Sequence, residues 1–241
     1  AQPNDQVFPK LPDVSGSANI AAEHSKRPKP DPPVTPAKLF QESGVRNARP
    51  LPYHLDVMIR TTAESPVALS FFNKGAQGVV FHVYDKLHLD RIPRRYTVEA
   101  GKELSDTWDV LATDDGRFHL WVYGPNGFVR EFRGNIRKDS HLTTDVELKT
   151  GQQPAALSCR IHNRSQTVRK AHIVHNEYAR NNAPVLEVQP QKLAIGSFNI
   201  SPSGNWYDFT VTIDGDSEYL RHFAGRIEDG KPGVSDPAMK A

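Results

Sequence analysis

The 241-residue chain has one cysteine, Cys159, two methionines, and no apolar run approaching the roughly 18 residues that a membrane-spanning helix needs. A single cysteine excludes an internal disulfide and any cysteine-built metal site. Cys159 fits best as a small buried apolar side chain, and it neither supports nor excludes export. An excess of one charge is missing too: 30 Lys and Arg against 28 Asp and Glu leave a formal net charge of +2, mixed along the chain rather than blocked. That balance leaves no electrostatic footprint for nucleic acid. With 37% hydrophobic residues and a mean hydropathy of -0.57, the chain can build cores but has little apolar surplus. It opens at Ala1 without a methionine, a basic segment or the apolar stretch of a signal peptide, a start expected of a fragment or a processed product.

Catalytic signatures are equally scarce. There is no Gly-x-Ser-x-Gly elbow, no His-Glu-x-x-His run and no phosphate-cradling glycine loop. Of the ten histidines, His172 and His175 are the closest to a ligand pair. Their spacing within a predicted strand turns them to opposite faces, so they cannot clamp one ion. Asp114-Asp115-Gly116 resembles part of a calcium loop but lacks the remaining ligands, and reads as a hairpin turn. The expectation is therefore no catalytic residue, no metal and no cofactor, which disfavours a self-contained hydrolase. No amphipathic helix of a dozen residues is visible either.

What is present is a repeat. Phe118-His119-Leu120-Trp121-Val122-Tyr123-Gly124, continuing through Phe128-Val129-Arg130-Glu131-Phe132-Arg133-Gly134-Asn135-Ile136, returns about 90 residues later. The second copy reads Phe209-Thr210-Val211-Thr212-Ile213-Asp214-Gly215, then Tyr219-Leu220-Arg221-His222-Phe223-Ala224-Gly225-Arg226-Ile227. That period is too long for a solenoid unit and suits a whole small domain, duplicated in tandem. Short alternating runs broken by turn residues predict strands at 55–61, 67–73, 79–85, 95–98, 103–109, 117–123 and 127–135. The second copy predicts 145–149, 155–163, 169–176, 186–188, 192–199, 206–213 and 219–227, with Asn163 echoing Asn73 and a loop insertion at Asn205-Trp206-Tyr207.

The expected architecture is all-β: two tandem antiparallel β-sandwiches at 50–137 and 141–229. Residues 1–49, rich in proline between Pro28 and Pro36, are expected to be an extended linker or the tail of a preceding domain, with Phe8 and Leu11 as docking residues. Residues 230–241 are expected to be a flexible tail.

Arg130 and Arg221 each sit between two aromatic residues on one strand face, Phe128/Phe132 and Tyr219/Phe223. A guanidinium so placed either grips a phosphate or stacks on the rings as part of the fold. Its presence in both copies favours the structural role. Trp121 and Tyr123 share the face opposite Phe118, Leu120 and Val122, where the gapless alignment puts Thr212 and Asp214. Such an outward pair can meet a neighbouring domain, a lipid interface or a sugar. Trp206 and Tyr207 carry the same options. The reading preferred for Trp121 and Tyr123 is contact with protein, either the segment around Phe8 and Leu11 or the second sandwich.

Three stretches carry a family likeness: Gln41-Glu42-Ser43-Gly44-Val45-Arg46, Arg49-Pro50-Leu51-Pro52-Tyr53-His54-Leu55, and Gly124-Pro125-Asn126-Gly127-Phe128 through Phe132-Arg133-Gly134-Asn135. Together with the tandem repeat, they make nearly the whole chain resemble the C-terminal region of bacterial phosphocholine-preferring phospholipases C. The resemblance implies an alkaline-phosphatase-like catalytic domain upstream, which holds the nucleophile and metal ligands. It also implies export, to the periplasm or outside the cell. On that footing the chain is a non-catalytic accessory region of a secreted phospholipase C. Its partners would be the upstream catalytic domain and a phosphocholine-lipid surface, with no nucleic acid. The alternative is an independent carbohydrate- or protein-binding module.

Overall fold

The alternation of apolar and polar residues places one face of each strand in a core, and both copies solve the burial problem in the same way. The computed structural model describes residues 26, 44–62, 65–139, 142–149, 156–178 and 185–239. Contacts divide the chain into Ala1–Gln41 and Glu42–Ala241, and every described strand belongs to the second unit. The expected docking residues Phe8 and Leu11 lie outside the described residues.

In the first repeat, β2 (Leu55–Thr62), β3 (Ser65–Asn73) and β6 (Lys102–Trp108) form a three-stranded sheet. It covers β4 (Val79–Asp85), β5 (Arg94–Val98), β7 (Arg117–Tyr123) and β8 (Val129–Asn135). In the second, β9 (Leu142–Lys149), β10 (Ala156–Asn163) and β13 (Leu193–Asn199) cover β11 (Arg169–Glu177), β12 (Leu186–Val188), β14 (Trp206–Ile213) and β15 (Asp216–Arg226). Leu69, Phe71, Phe81, Phe118, Leu120, Val122 and Phe132 build the first core; Leu157, Cys159, Ile161, Ile173, Phe209, Val211 and Phe223 build the second. Each core is pinned by a buried asparagine. Asn73 Nδ2 donates to the carbonyls of Gln77 (2.7 Å) and Val98 (3.1 Å), and Asn163 Nδ2 donates to those of Thr167 (2.7 Å) and Val188 (2.9 Å).

The two sandwiches are not separate bodies. β8 pairs antiparallel with β15, which joins the four strands of each repeat into one eight-stranded sheet, ordered β12-β11-β14-β15-β8-β7-β4-β5. Each repeat's last strand thereby protects the edge that the other would leave open. Glu131 pairs with His222, its own counterpart, so a local two-fold axis passes between them.

Three expectations need correction. The apparent insertion at Asn205-Trp206-Tyr207 does not exist, because β14 aligns two residues earlier than the gapless match. Tyr207 occupies the place of Phe118, and Asn205 that of Gly116: each accepts a hydrogen bond from the first residue after the final strand, Ile227 or Ile136 (2.9 Å each). Both hold a positive φ there, 71° for Asn205 and 84° for Gly116, a conformation open to asparagine and glycine. Secondly, Asp114-Asp115-Gly116 is no hairpin turn but the end of a short helix, α1 (Val110–Asp114), closed by Asp115 in the left-handed region. Thirdly, the expected linker and tail both contribute to the fold. β1 (Asn47–Ala48) pairs with β16 (Gly233–Val234), and the Trp206 Nε1–H donates to the Val234 carbonyl (3.0 Å). The Tyr178 hydroxyl donates to Asp236 (2.6 Å).

Candidate functional site

The paired arginines lie on the inner side of the seam. Arg130 is 2% exposed and Arg221 1%. Arg130 Nη1 reaches across to the Ala224 carbonyl (3.1 Å), and Arg221 Nη1 to the Arg133 carbonyl (2.6 Å), a two-fold-related exchange between repeats. Arg130 stacks on Phe128 (4.2 Å) and Phe223 (5.3 Å), Arg221 on Tyr219 (4.2 Å) and Phe118 (5.6 Å). Both side chains are thus built into the junction. Arg130 also borders a cleft of about 570 Å³ between the repeats, where Asp56 comes within 3.7 Å of its Nη2.

Trp206 and Tyr207 belong to the same seam. Each is 6% exposed, in β14 rather than in a loop, which removes them from any outer surface. The Tyr207 hydroxyl accepts from Arg130 Nη2 (3.0 Å), so Tyr207 is an interface residue, between the two repeats. His175 points inward against Phe198 (4.7 Å), while His172 stands on the outer face 2.6 Å from Asp214. Burial lowers the pKa of His175, which favours the neutral ring.

On the outer side of the seam, a row of polar side chains crosses five adjacent strands. His119 Nε2 lies 2.5 Å from Glu131 Oε1; Glu131 Oε2 lies 3.4 Å from His222 Nδ1; His222 Nε2 lies 2.7 Å from Asp208 Oδ1; and Asn176 Nδ2 donates to that same oxygen (2.6 Å). Burial alone would lower the pKa of His222, but its hydrogen bonds to Asp208 and Glu131 and their charges prevail, raising it to about 9. For Glu131 burial acts upward. It is outweighed by hydrogen bonds involving His119, His222 and Trp121, which hold the carboxyl well below its usual range. Carboxylates and imidazoles alternate along this row. Sequence reasoning missed it because its members come from both repeats and depend on the β8–β15 pairing.

Trp121 and Tyr123 stand on the same outer face, beyond the row. The second sandwich extends the sheet sideways and does not cover them, which corrects one of the two contacts expected. Tyr123 is 36% exposed and Trp121 half-buried. Across the strand pair, Tyr84 sits opposite Trp121 and His82 opposite Tyr123. The Tyr84 and Tyr123 rings meet edge to face at 5.8 Å and 82°, and those of Trp121 and Tyr123 at 6.0 Å and 80°. With Leu89 these side chains enclose an open hollow of about 580 Å³. Lys86 holds its ammonium 3.6 Å from the centre of the Trp121 ring. With the corrected alignment, the second repeat has Thr210 and Thr212 at these places, so the hollow is confined to the first copy.

The fold and these side chains define an all-β module of two sandwiches sharing one sheet, in which the known chemistry-bearing residues mostly tie strands together. The chain belongs to the family of the bacterial phospholipase C C-terminal domain, which matches residues 47–135 and 141–226, one match for each sandwich. It is 40% identical over 244 residues to a non-hemolytic phospholipase C of Pseudomonas aeruginosa, covering 99% of this chain and 35% of that protein. It is 35% identical to a non-hemolytic phospholipase C of Burkholderia pseudomallei (98% of this chain, 34% of that protein), and 29% identical to a hemolytic phospholipase C of Pseudomonas aeruginosa (83% and 30%). The chain therefore spans about a third of the length of these curated relatives.

Proposed function

We propose that this chain is the non-catalytic C-terminal accessory region of an exported phospholipase C acting on phosphocholine lipids, and that its fused sandwiches brace the catalytic part. The observation that carries this reading is the match of both sandwiches to the C-terminal domain of the family, at about a third of the relatives' length. The disposition of the titratable groups supports it. A displacement at phosphorus needs metals or convergent cations around the transferred group. Here the guanidiniums of Arg130 and Arg221 are committed to backbone carbonyls across the seam, and His119 and His222 to carboxylates.

Bracing is supported by the way the chain enters the block. Arg46 and Ser235 exchange backbone and side-chain hydrogen bonds (Arg46 N to Ser235 Oγ 3.0 Å, Ser235 N to Arg46 O 2.8 Å), and the Leu51 N–H donates to Glu228 (3.2 Å). Polypeptide arriving at residue 46 is thus fixed to the second repeat before the first begins. The test is hydrolysis: the purified 241-residue chain, mixed with phosphatidylcholine vesicles, is expected to release no phosphocholine. Release by contaminant-free protein, at a rate proportional to its concentration, would overturn the reading.

A further inference from the structure

We propose that the hollow formed by Tyr84, Trp121 and Tyr123 is a binding site for a quaternary methylammonium group. A ring face attracts a cation through its quadrupole, and the attraction grows as water is excluded. Lys86 already demonstrates this attraction, since its ammonium rests 3.6 Å from the indole centre. Among the described residues no carboxylate forms an ion pair with it, so the ring is its partner.

The shape and chemistry of the walls select the kind of cation. Tyr123 stands nearly perpendicular to both Tyr84 and Trp121, so the rings make a corner rather than a platform. A sugar stacks flat on one broad open ring, whereas here the rings stand nearly perpendicular and one face of Trp121 carries the Lys86 ammonium. A metal ion or a free ammonium would lose hydration and find no carboxylate among the lining side chains His82, Tyr84, Leu89, Trp121 and Tyr123. A quaternary methylammonium has no N–H to satisfy, spreads its charge over methyl groups, and gains contact with the rings and with Leu89. Glu131, paired opposite Trp121, hydrogen-bonds with the Trp121 side chain and is not among the side chains that line the hollow. At about 580 Å³ the hollow is ample for such a group.

The proposal is independent of the accessory role, because its readout is binding and no activity enters it. Tetramethylammonium chloride is titrated into the full chain at constant ionic strength, with ammonium and sodium chlorides as controls, following tryptophan fluorescence and calorimetry. The expected result is saturable binding at millimolar concentrations, roughly the affinity of a few cation–π contacts. Sodium and ammonium should give no saturable response. Trp121→Ala should abolish it. Trp121→Phe, which keeps a ring, should retain saturable but weaker binding, an outcome that separates loss of the indole face from misfolding. Vesicles distinguish the source of the group: sedimentation with phosphatidylcholine but not phosphatidylglycerol, lost in Trp121→Ala, identifies a lipid headgroup, whereas response to choline without vesicle binding identifies a free solute. No saturation by tetramethylammonium up to about 100 mM, where a site weaker than these contacts imply would still be empty, overturns the proposal. So does an undiminished response in Trp121→Ala.

Discussion

Arg130 and Arg221 show how a residue that looks like a ligand-gripping group becomes part of the fold. Each guanidinium is fixed by aromatic faces on its own strand and by a carbonyl in the other repeat, so it acts as a cross-pin. Truncation would strand those carbonyls and leave a cavity among the rings. Arg130→Ala and Arg221→Ala should each cost roughly 2–4 kcal/mol, read as a lower urea midpoint. Lysine should not rescue them, because an ammonium cannot both stack and donate in the guanidinium's plane. A parent-like midpoint for either alanine variant would contradict the pinning role. The structural assignment of this pair was legible from its duplication, whereas its reach into the other repeat was not. Reading Trp206 and Tyr207 as part of a loop insertion failed for a similar reason: Tyr207 fills the place of Phe118, and a gapless alignment hides that equivalence.

At the level of strands, local alternation was enough to find each sandwich, since β4, β7, β12 and β14 start and end where the pattern puts them. The two-residue pieces β1 and β16 were beyond it, because so short a run has no period and depends on a partner far away in the chain. The pairing of β8 with β15 was likewise invisible: strand edges carry no pattern that names their neighbour. That pairing is what assembles the row from His119 to Asp208, and the row gives the seam a pH dependence. A pKa raised to about 9 means that folded His222 binds its proton more tightly than the unfolded chain does. Its contribution is therefore complete below about pH 6.5 and is lost as pH rises through about 9. Glu131 has the opposite sign: its depressed pKa contributes above the unfolded value of 4.5 and is lost as pH falls. Stability should decline by about 1–2 kcal/mol between pH 6.5 and 9.5, and His222→Gln should remove most of that slope. An equal slope in the variant would show that the row is not responsible.

For the molecule as a whole, the shared sheet turns a duplication into one body with an asymmetric outer face. The seam is symmetric in its arginines and deliberately unlike in Glu131 and His222, which meet as opposite charges on the axis. Beyond the seam the copies diverge. The first carries the aromatic hollow and the second the threonines Thr210 and Thr212. The proposed bracing role requires that the block not come apart along its own midline, so the two repeats should unfold together. Trp108 reports on the first core and Trp206 on the second sandwich and its stitched tail. In two single-tryptophan variants, one retaining Trp108 and the other Trp206, the urea transition seen by fluorescence should coincide with the loss of β-sheet circular dichroism in the same variant. Separate midpoints for the two probes within one variant, with one repeat melted while the other stays folded, would contradict the single-body architecture on which the proposed bracing role rests.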